Sequence, residues 1–532
     1  MRNKCLVITA FLLATWGIST PCVAQKYKVT KLQRSRILVD KRFDQNPDAQ
    51  AAVFIAPYKH KVDSIMSPVV GETVHYMAAG RPESELSNLL CDILVWAGKD
   101  FEEKPVFSVY NMGGIRAALA KGKQTVGDVN DMAPFENKIC FLTLTGKDVL
   151  ELFSQIAMRG GEGVSHAVKM DISKDGKLLD ATLNGQPIDE KASYRVATLD
   201  YLAEGNDQLT AFKKGTDVFA PKQRENNVRF IIMNYFREQA AQGMCVSYCY
   251  QIISMMKKYF FAVVMCCITF SSWAQKQLVV LHTNDTHSCV MPLNPNLADT
   301  AIADRGGFLR RVNMVKQERQ KNPDLLLFDS GDFSQGSPYY TLFKGDVEVG
   351  LMNEMGYDAA TIGNHEFDFG IDNMVRLFKK AKFPIVCSNY DFTGTPLKDI
   401  VKPWVVLERG GVKIGVFGLG PQLEGLVTAA NYGPIKYLDP IKTALETATF
   451  LKKKKKCDII ICISHLGWNV ENTDDVQTIP GTRYIDLVLG GHSHTYFKEL
   501  RYVKDLDGKP VPVDQNGKNA IWVGKIVLDY SK

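Results

Sequence analysis

Five short apolar runs in the second half of the chain each end in Asp, Asn or His, and this pattern limits the fold more than any other feature. The runs lie at 277–281, 325–328, 359–362, 459–463 and 487–489, and patterns typical of helices separate them. Alternating strand-like and helical segments indicate α/β architecture. Open α/β sheets bind their ligands at the carboxyl ends of the strands. We therefore predict an α/β domain with a polar site at the edge of its sheets.

The residues at these run ends are the kinds that bind divalent metal ions. Neutral imidazole, carboxylate and amide oxygen are all metal donors, and a carboxylate can bridge two ions. Within an extended strand, residues two positions apart point the same way, which suits Asp285 with His287 and His492 with His494. A single His is more often structural than a ligand, but five of the nine His fall in these motifs. These run ends therefore predict a site for two divalent metal ions.

These motifs, in this order, resemble the calcineurin-like metallophosphoesterase superfamily. The sequences HTNDTH at 282–287 and GNHEFDFG at 363–370 resemble its 5′-nucleotidase branch in particular. From about residue 277 to residue 529, the resemblance implies a four-layer α/β/β/α sandwich. It also implies two divalent metal ions, and mixed nitrogen and oxygen donors are compatible with zinc, manganese, cobalt or iron.

The resemblance also implies a role for each residue of the metal centre. Asn364, His365 and Asp368 are the implied catalytic residues. His365 stabilises the transition state or protonates the leaving oxygen, and Asp368 orients its ring. The implied ligand sets are Asp285, His287 and His494 for one ion, Asn364, His465 and His492 for the other, and Asp332 as the bridge.

The first half shows helical patterns at 83–96 and 146–157 among short strands, which predicts an α+β domain. Its motifs NMGGIR at 111–116, PFEN at 134–137 and YLAEGND at 201–207 resemble the C-terminal, nucleotide-binding domain of the same 5′-nucleotidases. In the family this domain follows the metal domain, whereas here it comes first.

The second resemblance implies how a nucleotide is bound. A nucleobase stacks between Phe135 and Tyr201, and Asn137 and Asp207 bond to the base edge and the ribose. The residues implied to complete the pocket are Arg81 and Arg116, which hold phosphate through the guanidinium fork, and Gly161, which lines it with backbone. Tyr201, Asn206 and Glu85 depart from the family pattern, so the preferred nucleotide stays open.

Two segments of the chain have the pattern of export signals. Residues 1–24 place basic residues before an apolar stretch and small residues, as a secretory signal peptide does. The same order returns from Met256, where two lysines precede an apolar stretch that is shorter than the roughly 20 residues of a membrane span. The predicted divisions are a signal peptide at 1–24, a nucleotide-binding domain at 26–242, a junction at 243–275 and a metallophosphoesterase domain at 276–532.

The junction has two interpretations. Our preferred hypothesis is that two neighbouring genes, each with its export signal, are read as one chain, and that the halves associate non-covalently if they are made separately. The competing hypothesis is a membrane tether at 259–273.

The predicted function is hydrolysis of nucleoside 5′-monophosphates in the periplasm or after secretion. A net charge of +6 over 532 residues gives no domain-wide basic surface, so nucleic acid is not an expected partner. UDP-sugar hydrolysis and 2′,3′-cyclic phosphodiesterase with 3′-nucleotidase action use the same centre and stay open. An inactive, membrane-tethered nucleotide-binding protein is the alternative from a different class. We also expect residues 277–532 alone to cleave a small chromogenic phosphoester weakly.

Overall fold

The computed structural model describes residues 27–246 and 276–531, apart from positions 46, 296, 298, 300, 471 and 472. The predicted export signals at 1–24 and from Met256, and the hypothetical tether at 259–273, lie outside the described residues. Within the described ranges, no helix combines the length and the apolar character that crossing a membrane requires.

The described part of the first half alternates short strands with helices. Its strands are β1 (Lys28–Leu38), β2 (Val69–Thr73), β3 (Phe107–Tyr110), β4 (Gly122–Thr125), β5 (Ile139–Thr145), β6 (Gly163–Val164), β7 (Val168–Ile172), β8 (Leu178–Leu183), β9 (Gln186–Pro187), β10 (Ser193–Leu199) and β11 (Thr216–Phe219). Its α-helices are α1 (Ala49–Met66), α2 (Glu85–Ala97), α3 (Val126–Met132), α4 (Gly146–Met158), α5 (Asp200–Ala203) and α6 (Val228–Ala241).

The described part of the second half follows the same alternation. Its strands are β12 (Lys276–Thr283), β13 (Leu326–Asp329), β14 (Ala359–Ala360), β15 (Tyr390–Asp391), β16 (Trp404–Arg409), β17 (Val412–Leu419), β18 (Lys436–Tyr437), β19 (Ile459–Ser464), β20 (Leu487–Leu489), β21 (Arg501–Lys504), β22 (Pro510–Asp514) and β23 (Trp522–Ser531). Its α-helices are α7 (Phe308–Lys321), α8 (Pro338–Phe343), α9 (Asp346–Met355), α10 (Gly370–Phe378), α11 (Ala429–Tyr432), α12 (Pro440–Lys453) and α13 (Asp475–Thr478).

Two mixed sheets form the centre of the second half, with strand orders β1-β23-β12-β13-β14 and β16-β17-β19-β20-β22-β21. Successive residues of a strand face opposite sides of its sheet. Val280 of β12 and Ile461 of β19 therefore share the core between the sheets. Leu281 belongs instead to the core under α7 and α9, and Cys462 to the core under α12. Helices thus cover both outer faces, and the predicted four-layer α/β/β/α sandwich is confirmed.

The five predicted apolar runs correspond to β12, β13, β14, β19 and β20, with ends that agree within two residues. β12, β13 and β14 pair in parallel in one sheet, and β17, β19, β20 and β22 do so in the other. Parallel strands end at the same edge, so the polar residues that follow them are collected on one side of the sandwich.

The body of the first half is an α+β unit around the sheet β11-β5-β10-β3-β6. Helix α2 begins after a capping box formed by Ser84 and Ser87, and α4 begins after Thr145, whose side chain accepts from the backbone N–H of Asp148. Apolar faces of these helices and of the sheet share one buried core.

Residues 27–66 pack mainly on the second half, although the C-terminal end of α1 also contacts α3 of this body. β1 pairs antiparallel with β23, and α1 contributes Ala51, Ile55 and Val62 to the core that also holds Phe308 of α7. The predicted first domain, 26–242, includes this segment. We propose a different division, in which 27–66 is an arm of the second half and the nucleotide-binding body begins near residue 67.

Candidate active site between the two halves

Most of the predicted metal ligands sit on strained backbone at the strand ends. Asp285, His287, Asp332, His492 and His494 have left-handed φ angles of 48°, 44°, 54°, 71° and 54°. Such a conformation costs roughly 1–3 kcal/mol for a residue with a side chain, and it concentrates at functional sites. The surrounding sheets therefore stabilise a local geometry that the peptide chain would not choose by itself.

Close backbone packing holds these turns together. A Cβ on Gly363, which precedes Asn364, would overlap the Asp332 carboxylate. Both Glu366 oxygens accept backbone N–H bonds here, from Asp332 at 3.0 Å, Ser334 at 3.1 Å and Gly363 at 2.7 Å. The turn after β13 and the turn after β14 are thereby locked against each other.

The structure brings the predicted ligands into one cluster. Candidate metal-binding groups, whose donor atoms lie within 4.8 Å of one another, are Asp285–His287–His494, Asp332–His465–His492 and His287–Asp332–His365. The Asn364 Oδ1 lies 3.0 Å from the Nδ1 of His492, so the amide joins the second of these groups. Asp332 belongs to two of these groups, and His287 links it to the third, as the predicted bridging role requires.

The predicted metal-binding atoms face one another and require a positive charge among them. His465 is fully buried, and its Nδ1 lies 2.6 Å from the carbonyl oxygen of Ser330. A neutral ring therefore carries its proton on Nδ1 and has its lone pair on Nε2. That Nε2 lies 3.1 Å from Asp332 Oδ2 and 3.8 Å from Asp285 Oδ1, yet it makes no hydrogen bond within the described residues. Acceptors that face one another in a buried site need a cation between them.

The pKa shifts have the same origin. Burial raises the pKa of Asp285 to about 7, because nothing nearby neutralises it fully. Burial lowers the pKa of His465, but the carboxylates of Asp332 and Asp285 outweigh it and raise that pKa to about 10, so without a metal ion a proton on Nε2 supplies the positive charge that these carboxylates require. Burial lowers the pKa of His492 to about 3, which keeps this imidazole neutral and able to donate its lone pair. The residues therefore fit divalent metal ions.

His365 and Asp368 form the predicted pair beside this cluster. The Nδ1 of His365 lies 3.2 and 3.1 Å from the two Asp368 oxygens, and its backbone N–H donates to Asp332 Oδ1 at 2.9 Å. Burial lowers the pKa of His365, but Asp368 and Asp332 outweigh burial and raise it. The ring is thus held in one orientation and disposed to carry a proton.

A cavity of about 470 Å³ opens onto the metal cluster and extends between the halves. The first half contributes Phe135, whose ring centroid lies 5.8 Å from that of His365, and Arg116, whose Nη2 lies 3.3 Å from His287 Nε2. The predicted residues that line it are Arg116, Phe135, Asn137, Tyr201, Asp207, Asp332, Asn364, His365, Asp368, His492 and His494. Predicted nucleotide-binding residues and predicted metal ligands thus share one cleft.

Hydrogen bonds within the first half hold the side chains on its side of the cleft in place. Asp207 Oδ2 accepts from Asn111 Nδ2 at 2.6 Å, and its other oxygen lies 3.3 Å from the Tyr201 hydroxyl. Arg229 donates to the carbonyl oxygens of Pro134 and Phe135 at 2.8 and 2.6 Å, which fixes the loop that carries the Phe135 ring.

Arg81 and Gly161 are not among the residues that line the cavity. The Arg81 guanidinium pairs with Glu162 at 2.7 Å and donates to the carbonyl oxygens of Arg159 and Gly161. Gly161 has a φ of +105°, and a Cβ there would overlap the backbone of Pro82. The two residues tie neighbouring loops together in this structure, and their role in nucleotide binding stays a prediction.

Several further residues line the cavity, and all but one of them lie outside the sequence motifs. They lie in helices and loops of the second half, and they are Gln335, Tyr340, Thr341, Phe369, Leu426, Val427, Thr428 and Asn431. Only Phe369 falls inside a motif, GNHEFDFG, and the sequence offers no periodicity that marks the rest.

Comparison with known proteins divides the chain in the same way. Residues 69–214 match the family described as 5′-nucleotidase, C-terminal domain, and residues 278–496 match the family described as calcineurin-like phosphoesterase. Both resemblances drawn from the motifs, and the order of the two domains, are confirmed.

Individual relatives agree with these families. A 5′-nucleotidase from Homo sapiens is 30% identical over 275 residues, which cover 48% of this chain and 47% of that protein. The trifunctional nucleotide phosphoesterase YfkN of Bacillus subtilis is 31% identical over 288 residues, 48% of this chain and 18% of that protein. A solved 5′-nucleotidase precursor from Thermus thermophilus is 29% identical, with a TM-score of 0.43, over 48% of this chain and 54% of that one. The chain spans about half the length, or less, of the curated relatives it matches.

Proposed function

We propose that this chain, which carries a 5′-nucleotidase C-terminal domain ahead of a calcineurin-like phosphoesterase domain, is a two-metal phosphohydrolase that releases phosphate from nucleoside 5′-monophosphates. The observation that supports it best is the shared cleft. Phe135, Tyr201 and Asp207 line the same cavity as Asp332, Asn364 and His492. A molecule with a base at one end and a phosphate at the other fits that combination.

Residues of this chain would bind the nucleotide and transfer a proton to it. Phe135 and Tyr201 would stack on the base, and Asn137 and Asp207 would bond to its edge and to the ribose. Arg116 extends from the first half to within 3.3 Å of His287, so its guanidinium can bind phosphate oxygens beside the metal centre. The base end thus orients the phosphate end.

The metal centre would be held by the seven predicted ligands, with Asp332 in both sets. Two divalent ions bound there would supply an activated water and neutralise charge on the phosphoryl oxygens. His365, held by Asp368, would donate a proton to the leaving ribose oxygen, a role that its raised pKa favours. Asn364 would bind an ion beside His492, whose Nδ1 lies 3.0 Å from the Asn364 Oδ1.

We also propose that the protein acts outside the cytoplasm, because residues 1–24 have the pattern of a signal peptide. This proposal predicts that the protein accumulates in the periplasmic or extracellular fraction of its host. Recovery of all of it from the cytoplasm would overturn the proposal.

Phosphate release from AMP by the full chain, with manganese or zinc supplied, tests the proposed reaction. UDP-glucose, 2′,3′-cyclic AMP and 3′-AMP serve as competing substrates, and AMP should give the highest kcat/KM. Metal analysis should find about two ions per chain. Asp332→Asn should remove turnover and metal, whereas Asp372→Asn, an exposed residue in the first turn of α10, should keep both. Equal activity of the Asp332 variant, or preference for a competing substrate, would contradict the proposal.

A further inference from the structure

The arm, residues 27–66, belongs to the first half by sequence and to the second half by contact. β1 lies along β23 in an antiparallel ladder from Lys28 opposite Ser531 to Leu38 opposite Trp522. On its other side β23 pairs with β12. Without β1, the long strand β23 would be an edge strand with a row of unpaired N–H and C=O groups.

Helix α1 continues the contact along the outer face of the sheet. Its N-cap, Asp48, lies 2.5 Å from Lys316 Nζ, and its backbone N–H donates to Asn313 Oδ1 at 2.8 Å. The Phe54 ring packs where Gly350 has no side chain, since a Cβ there would overlap it. Tyr58 meets Phe343 edge to face, with ring centroids 4.8 Å apart. The surface of the second half is therefore shaped for this helix.

Two arginines of β1 neutralise a buried carboxylate of the second half. Asp514 is inaccessible to solvent, and it lies 3.0 Å from Arg34 Nη2 and 3.3 Å from Arg36 Nη2. The Arg34 and Arg36 side chains are only 11% and 4% exposed, so these ion pairs are inside the protein. His282 Nε2 also lies 3.1 Å from this carboxylate, so loss of both arginines would leave Asp514 with one of three buried partners, and a buried charge with too few partners is destabilising.

The same arginines are connected to the metal centre. Arg36 Nε donates to Asn516 Oδ1 at 2.9 Å, and the Asn516 N–H donates to Asn284 Oδ1 at 3.0 Å. Asn284 Nδ2 then donates to Asp285 Oδ2 at 2.6 Å. A chain of three hydrogen bonds thus links the arm to a predicted metal ligand.

We propose that residues 27–66 are a docking arm that binds the 276–531 unit by strand addition, helix packing and charge pairing. The halves then remain one complex when the covalent connection between residues 246 and 276 is absent. The partner is defined by its chemistry: a sheet edge at β23, an apolar groove on α7 and α9, and the buried carboxylate of Asp514. This inference does not depend on the proposed reaction.

The test uses the full chain with one site-specific protease sequence inserted between residues 246 and 276. Complete cleavage is verified on a denaturing gel, and the cut protein is then analysed by size-exclusion chromatography. We expect the cut parent protein to elute as one complex that contains both halves. Separation of the parent halves at micromolar concentration would overturn the inference.

A charge reversal identifies the contacts responsible. Arg34→Glu with Arg36→Glu should weaken association of the cut halves at least ~30-fold, as removing one side of buried charge pairs does. Lys28→Glu with Lys31→Glu makes the same change in charge on the exposed side of β1 and should leave association unchanged. Arg34→Lys with Arg36→Lys keeps both positive charges, so this variant should retain much of the parent association between the cut halves. Equal retention of the complex by the two reversals would refute the role of the arginines.

Folding of the variants is measured separately. Circular dichroism and thermal unfolding of the uncut chains show whether the reversal folds. If it does not, Arg34→Ala with Arg36→Ala gives the same comparison, and unchanged association of that variant would equally refute the inference. Amide exchange gives a second readout, since residues 522–531 should exchange faster in the reversed variant than in the lysine control.

Discussion

Replacing Phe135 by Ala separates nucleotide recognition from phosphoester chemistry. The ring is half-buried in the cleft, 5.8 Å from the His365 ring and 5.8 Å from Arg116 Cζ. Stacking of a base on an aromatic side chain contributes about 1–3 kcal/mol. Since about 1.4 kcal/mol is tenfold in affinity, KM for AMP should rise roughly 5- to 150-fold. The kcat should change little, because Phe135 touches neither the metal ligands' donor atoms nor the leaving oxygen in the proposed pose.

The assay compares initial rates of phosphate release from AMP with hydrolysis of p-nitrophenyl phosphate, which has no nucleobase. Only the AMP reaction should lose efficiency. Phe219→Ala is the matched control, because this phenylalanine of β11 belongs to the same half, is 42% exposed and does not line the cavity. The control should leave both reactions near the parent rate.

Two results would refute the reasoning. An unchanged KM for AMP would mean that the base does not stack on Phe135. Equal losses with both substrates, in a variant that melts at the parent temperature, would mean that the ring acts through His365 rather than on the base.

Four further outcomes follow from the same geometry. His365→Ala should lower kcat for AMP about 10²–10⁴-fold with little change in KM, and Asp368→Asn should lower it less, as steady-state kinetics would show. Arg116→Ala should lower kcat/KM about 10- to 100-fold for AMP and p-nitrophenyl phosphate alike, because its proposed role is to bind phosphate and not base. Chelation should abolish turnover, and metal at 100 times its dissociation constant should restore it and stabilise the fold by about 2.7 kcal/mol in calorimetry. Ile55→Ala should cost roughly 2–5 kcal/mol in denaturant unfolding, although Ile55 lies outside the phosphoesterase match, since its side chain is buried in that core.

The strands and the metal cluster were predictable because their signals are local. The run at 459–463 and the strand Ile459–Ser464 differ by one residue, since an apolar run bounded by polar residues defines a buried strand by itself. The position of His465 directly after that strand then determines which edge of the sheet it occupies. Parallel pairing brings it to the edge where β17 and β20 also end, and the packing of the two sheets then brings that edge to Asp332, which follows β13 of the other sheet.

The sequence could not predict which half the arm packs on. A helix shows the same spacing of apolar residues whichever core its buried face joins. Ile55 and Val62 identify a buried face of α1, but nothing in their spacing says that the face packs on α7. The arm also weakens the expectation that residues 277–532 act alone. That fragment would keep Asp514 without Arg34 and Arg36, so β23 and the turn before Asp285 would lose their support.

The reversed order of the domains becomes understandable from the ends of the ladder between β1 and β23. Lys28 lies opposite Ser531, so a short hairpin turn could join β23 directly to β1 without moving either strand. A chain joined there would run from the phosphoesterase domain through the arm into the nucleotide-binding body, which is the order the family resemblance implies. The two orders would then be circular permutations of one set of contacts, and permutation is tolerated where the joined ends are close together. The reversed order of the domains alone therefore gives no reason to expect a different cleft. The contacts of the arm determine whether the two halves come together to form that cleft.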